Sequence, residues 1–237
     1  MYQFDSRVRY SEVNSEQQLM ISSMLDYLQD CCTFQSEDMG LGVDYLAKEQ
    51  VAWVLSSWEI EILRYPKMGE KIQVGTWPSD FKGFYGYRNF LLKGETEDVL
   101  AKANSLWVFM DTEKMHPMRV KDTFVEAYGR ILEPALEGDW SDRKIIVPDK
   151  QTVMEPVQVA KFFIDTNHHM NNGKYVLVAE EYLPEDFKVG RLKVEYKKAA
   201  VLGDVLYPAV TLEEDVVTVV LGDEAGRTYA VVQFMKQ

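Results

Sequence analysis

The residues best suited to chemistry lie in one run, Lys161 to Glu181, KFFIDTNHHMNNGKYVLVAEE. Asp165, Asn167 and His169 stand two apart there, just ahead of a segment with helical periodicity. In an extended backbone, residues i, i+2 and i+4 project to one side, so a carboxylate, an amide and an imidazole would converge on one spot. In a helix Asn167 would face away from the other two. Asn171, Asn172 and Gly173 follow, types suited to a turn and to the first positions of a helix. Free backbone amides near Asn172 and Gly173 would carry partial positive charge and are candidates for holding an oxyanion. The set therefore resembles a hydrolytic site. The same letters also suit a plain helix cap with a surface histidine, and spacing alone leaves both readings open. His168 is expected to face away from the set.

Two kinds of element must position these residues. A helix is expected from about Ser15 to Cys32, with Ser15 and Gln18 as a capping box and Ile21, Leu25, Leu28 and Cys32 at helical spacing. The period then changes to two. Trp58, Ile60 and Ile62 alternate with polar neighbours, and Ile72, Val74 and Thr76 do so again after a turn at Pro66 to Gly69. Phe84–Leu92 and Ala103–Met110 also read as strands. The second half repeats that order. Tyr175, Ala179, Tyr182 and Leu183 lie on one helical stripe before Pro184, and strands follow near 191–199, 204–212, 216–221 and 228–235.

The halves also match in letters. IEILRYPKMGEKI, from Ile60, lies over VEYKKAAVLGDVL, from Val194, at an offset of 134. Glu61 falls on Glu195, Gly69 on Gly203 and Glu70 on Asp204. Pairing the helix ends Leu28 and Leu183 gives an offset of 155, so the first half is expected to carry 21 extra residues between helix and sheet. The histidine has no counterpart in the first half, around Glu12 to Glu16, which predicts one active site for two repeats. A long helix beside an antiparallel sheet, occurring twice, points to an α+β chain with a double hot-dog architecture. Two unrelated α+β units in series are the rival. The division expected is 1–112 for the first unit, 113–160 for a crossover with a short helix near Thr123–Tyr128, and 161–237 for the second.

Composition narrows the classes. Thirty-eight acidic against 26 basic residues leave a net charge of −12, which disfavours nucleic acid and anionic lipid surfaces as partners. No apolar run reaches the roughly 20 residues that span a bilayer. The start shows no signal-peptide pattern, so a cytoplasmic location is expected. Cys31 and Cys32 are adjacent in a helical pattern and read as reduced packing residues. Three histidines without zinc-type spacing give no support for a metal, and no cofactor is expected.

Taken together, these segments resemble the acyl-acyl carrier protein (ACP) thioesterases, the family of the plant plastid enzymes and their bacterial relatives. The likeness covers nearly the whole chain: Leu28-Gln29-Asp30, Trp53, Arg64-Tyr65-Pro66, Gly69, Val74-Gly75-Thr76-Trp77 and Ser105 to Asp111. Its most specific piece is D-x-N-x-H-x-N-N from Asp165 to Asn172, followed by Lys174-Tyr175, Glu181 and the L-x-x-E-Y-K-K run of Leu192–Lys198. The resemblance implies the double hot-dog fold and places the family's catalytic aspartate, asparagine and histidine on Asp165, Asn167 and His169. The plant enzymes carry a glutamate and a cysteine just after the E-Y-[KR]-[KR] run, where this chain has Ala199 and Ala200. Neither a thiol nucleophile nor a glutamate base is available there. Glu61 repeats Glu195 in the half that has no site, which argues for a structural role, and Glu181 is a lesser candidate.

The implied reaction is hydrolysis of the thioester joining a fatty acyl chain to the phosphopantetheine arm of ACP. Asp165 and His169 would share base and orienting duties, Asn167 would position water or carbonyl, and attack by Asp165 itself is a second route. The resemblance also implies that the first unit holds the acyl chain, with Met20, Met24, Leu28, Trp53 and Trp58 as candidate lining, although core packing explains these residues equally well. Since ACP is acidic, docking needs a local basic patch; Lys197-Lys198, Arg143-Lys144 and Lys114/Arg119/Lys121 are the sources in the sequence. The internal pseudo-dimer is expected, with a homodimer of whole chains left open. Hydrolysis of acyl-coenzyme A and a non-catalytic acyl-binding module are the alternatives.

Overall fold

Residues 1–129, 133–138, 140 and 142–237 are described by a computed structural model. The chain divides into two units, Met1–Ser56 with Ile62–Trp140, and Ser57–Glu61 with Ser141–Gln237. The first unit contains β1 (Tyr2–Arg7), α1 (Ile21–Asp38), α2 (Val43–Lys48), β2 (Val51–Ile62), β3 (Lys71–Lys82), β4 (Tyr85–Gly94), β5 (Val99–Asp111), β6 (His116–Pro117) and α3 (Asp122–Gly129). Its strands lie in the order β1-β3-β4-β5-β2. The second unit adds β7 (Thr152–Val153), β8 (Val157–Gln158), α4 (Asn172–Glu180), β9 (Val189–Tyr196), β10 (Val205–Leu212), β11 (Val216–Gly222) and β12 (Thr228–Lys236). There the Ser57–Glu61 stretch of β2 pairs antiparallel with Arg191–Glu195, and β12, β11, β10 and β7 follow in that order.

The long helix starts later than the capping-box letters imply. Ser15 and Gln18 belong to a turn, and α1 begins at Ile21 with Met20 as an N-cap whose side chain makes no cap bond. The reason is Asn14, whose Oδ1 accepts the N–H groups of Glu16 and Gln18 at 3.0 Å each and closes the turn first. From Ile21 the helix buries Met24, Leu25, Leu28, Cys31, Cys32 and Gln35, a stripe at helical period. Both cysteines are free thiols, and burial pushes them up in pKa. Strand β1 carries no apolar alternation strong enough to be read from sequence. Its residues alternate between half-buried and exposed, and β3 is its antiparallel partner.

The duplication is visible in backbone hydrogen bonds, and it corrects one offset. Turns before the two helices match at 151, not 155: the bridge Val13↔Leu19 is repeated by Ile164↔Met170. Gln17 and His168, the same distance apart, take φ +60° and +61°. The sheet keeps the offset of 134. Leu19 N–H to Pro66 C=O becomes Met170 N–H to Ala200 C=O, and Val8 N–H to Glu70 C=O becomes Val159 N–H to Asp204 C=O. The two offsets differ by 17 residues. Pairing Leu28 with Leu183 failed because α4 ends at Glu180, and Leu183 lies in the turn after it. Matched letters in the sheet have matched roles. The carboxylate of Glu70 accepts Lys67 N–H at 2.9 Å, and that of Asp204 accepts Val201 N–H at 3.0 Å. Gly69 and Gly203 both take the left-handed backbone, φ +80° and +90°, that the intervening turn requires.

Candidate active site

The D-x-N-x-H run is a tight turn, not an extended strand. Asp165 N–H donates to His169 C=O at 2.8 Å, and His168 N–H donates back to Asp165 C=O at 3.1 Å. His168 stands at φ +61°, so strand alternation cannot be what aligns residues 165, 167 and 169. The carboxylate of Asp165 holds the turn together. Its Oδ1 accepts Asn167 N–H at 2.8 Å and His169 N–H at 3.3 Å. Asp165 and His169 are half-buried, while Asn167 and His168 are exposed. Among the described residues, the Asn167 and His169 side chains make no hydrogen bond or ion pair, which leaves both available to a ligand.

The turn is anchored on both sides. Asn171 N–H donates to Phe163 C=O, and Met170 N–H to Ala200 C=O, each at 2.8 Å. Ala200, at the position of the plant cysteine, is fully buried and bonded through its backbone to the residue after His169. Its N–H donates to the Tyr175 hydroxyl at 2.8 Å. Burial raises the Tyr175 hydroxyl to about 12, so it stays protonated and neutral under ordinary conditions. Tyr196 donates to Asn172 C=O at 2.9 Å, and the two tyrosine rings meet edge to face at 5.6 Å. These tyrosines were not singled out by residue type. Helical periodicity marks Tyr175 as a packing residue, and only the Glu195-Tyr196 letters of the family pattern point to Tyr196.

Helix α4 begins at Asn172, as the turn-forming asparagines imply, with Asn171 as its N-cap. Asn171 Oδ1 accepts Gly173 N–H at 2.9 Å, so one of the two amides considered for an oxyanion is engaged by the cap. Glu181 sits exposed at the C-cap, the far end of the helix. Glu195 is buried and accepts the Ile145 N–H while pairing with Lys197. Of the apolar candidates, Met20 is half-buried at the α1 N-cap and Met24 and Leu28 are buried on α1. Trp53 packs on Phe109 with ring centroids 4.8 Å apart. Trp58 is buried in the stretch of β2 that belongs to the second unit, so four of the five lie in the first. Of the basic residues, Lys114, Lys121 and Lys197 are ion-paired and Lys198 lies over the Tyr229 ring at 5.0 Å. Arg119 and Lys144 are exposed and carry no ion pair among the described residues.

A model of the acyl-ACP thioesterase N-terminal domain matches residues 1–128, and one of the C-terminal domain matches residues 146–228. The chain belongs to the acyl-ACP thioesterase family. A palmitoyl-acyl carrier protein thioesterase of Gossypium hirsutum is 25% identical over 225 residues, 87% of this chain and 54% of that protein. The chain thus spans about half the length of the curated relatives it matches. Two solved structures share its fold. An acyl-ACP thioesterase from Bacteroides thetaiotaomicron superposes with a TM-score of 0.89 at 19% identity, covering 99% of this chain and 97% of that one. The 12:0-ACP thioesterase from Umbellularia californica gives 0.88 at 19%, covering 100% and 98%. The architecture of this family member is the double hot-dog. No helix of the described residues is long and apolar enough to cross a membrane.

Proposed function

We propose that this protein hydrolyses the thioester between a fatty acyl chain and the phosphopantetheine arm of ACP, releasing free fatty acid. The observation that carries the reading is the match of both family domains over most of the chain, with D-x-N-x-H-x-N-N intact on the turn before α4. His169 is the proposed general base, since its imidazole is half-buried and unspent. Asp165 holds the turn through Oδ1 and contributes its negative charge beside the imidazolium that forms on proton abstraction. Asn167, exposed at the turn's tip, orients water or the thioester carbonyl. The oxyanion is assigned to the start of α4, where Asn172 precedes the capped Gly173; use of the Gly173 N–H requires the Asn171 side chain to yield it. With alanine at 199 and 200 no acyl-enzyme forms on a thiol there, and water activated by His169 is the proposed nucleophile.

The proposed partner is ACP, docking near Arg119 and Lys144, and the proposed location is the cytoplasm, in keeping with two free buried thiols. The chloroplastic relatives are a reminder that the same family also works in plastids. The test is thiol release from a panel of ACP and coenzyme A thioesters of graded chain length. Release from ACP thioesters in preference to coenzyme A thioesters is expected. Preference for coenzyme A would replace the partner, and no release from any substrate would replace the reaction with acyl binding.

A further inference from the structure

Inside the first unit the interior face turns from apolar to polar on four elements, in register on β4 and β5 and one inward position earlier on β3, where Thr76 lies opposite Phe90. On α1 the buried stripe runs Met24, Leu28, Cys31 and then Gln35. On β3 the inward residues run Ile72, Val74 and then Thr76; on β4 they run Leu92, Phe90 and then Arg88. On β5 they run Ala101, Ala103 and then Ser105, which is paired with Arg88. These polar residues are joined. Arg88 Nη1 donates to Gln35 Oε1 at 2.5 Å and to Thr76 Oγ1 at 3.2 Å, and its guanidinium lies 5.5 Å from the centre of the Tyr128 ring. Tyr128 in turn bonds Ser36 at 2.8 Å. Beyond the layer the interior becomes apolar again, with Phe109, Phe124 and Val51 buried together and Trp53 packed against them.

Arg88 is 8% exposed and has no carboxylate partner among the described residues. Among the described residues its Nε and Nη2 groups make no hydrogen bond. A buried guanidinium whose donors are only partly spent is costly, and an alkyl chain pushed against it would strip what hydration those donors have and return nothing. We propose that Arg88, with Gln35 and Thr76, limits the length of the acyl chain: the tail packs on the Met24/Leu28 side of the polar layer and stops at it. This rests on the reading that the first unit holds the acyl chain of a thioester substrate.

The experiment compares wild type with Arg88→Met, which keeps the unbranched stem and removes the charge. Tyr128→Phe serves as a control that loses the Ser36 bond but keeps the ring over Arg88. Two series are read: kcat/KM on ACP thioesters of increasing chain length, and calorimetric affinity for S-alkyl pantetheine thioethers of the same lengths, which needs no turnover. Arg88→Met is expected to raise the ratio of long-chain to short-chain values about tenfold, the value of roughly two newly buried methylenes. Tyr128→Phe is expected to leave the ratio unchanged. If no thioester is hydrolysed but the thioether cut-off moves in Arg88→Met, the proposed reaction fails and the length limit stands. An unchanged profile in a folded Arg88→Met protein, or an equal loss at every length, would overturn the proposal and leave Arg88 a structural residue.

Discussion

Asp165 is easier to interpret because the molecule contains its own control. In the first repeat Asn14 occupies the same place, and its Oδ1 accepts two turn amides just as Asp165 does. A neutral amide therefore suffices to hold such a turn, and a carboxylate at residue 165 must be explained by its charge. Asp165→Asn is accordingly expected to fold with an unchanged melting temperature while losing about 100-fold or more in thiol release, the usual range for a group assisting proton transfer. Turnover within a few-fold of wild type would reduce Asp165 to a turn cap. Asn171 has the complementary role. Asn171→Ala removes the α4 cap and should cost about 1 kcal/mol of stability, measured by denaturant unfolding. A stability equal to wild type would mean that the Gly173 amide finds another acceptor.

At the scale of elements, the turn between β2 and β3 and its repeat between β9 and β10 depend on a few shared devices. Gly69 and Gly203 have open space where a Cβ would stand, so alanine there costs only the left-handed backbone, about 1 kcal/mol each. Thermal unfolding of Gly69→Ala and Gly203→Ala checks this, and a cost near zero at either would mean that its turn relaxes. Glu70 adds a pH dependence. Hydrogen bonds from the Arg64 guanidinium hold its carboxyl below the ordinary carboxylate range. A depressed folded pKa means the stabilisation is present above the ordinary carboxylate pKa and is lost as pH falls through it towards the folded value. Arg64 is nearly half exposed, so solvent screening leaves about 0.5 kcal/mol. Glu70→Gln should therefore be slightly less stable than wild type at neutral pH, and the gap should close in acid. A gap that widens on acidification would contradict the assignment.

At the scale of the molecule, the period-two strands and the repeat of helix followed by sheet were legible because apolar spacing and the IEILRYPKMGEKI/VEYKKAAVLGDVL match report directly on which faces are buried. The start of α1 was not legible: a capping box and a side-chain-closed turn use the same residue types, and Asn14 decides between them by bonding two amides that a helix would have used. The geometry of the candidate site was half legible. Its residues could be listed, yet the turn at 165–169 depends on His168 adopting a positive φ, which no side-chain periodicity records. Arg88 was not legible either, because a single arginine in a strand reads as surface, whereas the fold buries it against Gln35 and Thr76.

The central claim, that the turn before α4 hydrolyses acyl-ACP with His169 as base, is tested most directly by thiol release from one acyl-ACP measured for wild type and His169→Ala side by side. Steady release by wild type and a fall of about 100-fold or more in the variant, with its melting temperature unchanged, is the expected result. Equal rates for the two proteins, or no release by wild type from ACP thioesters of any chain length, would contradict it.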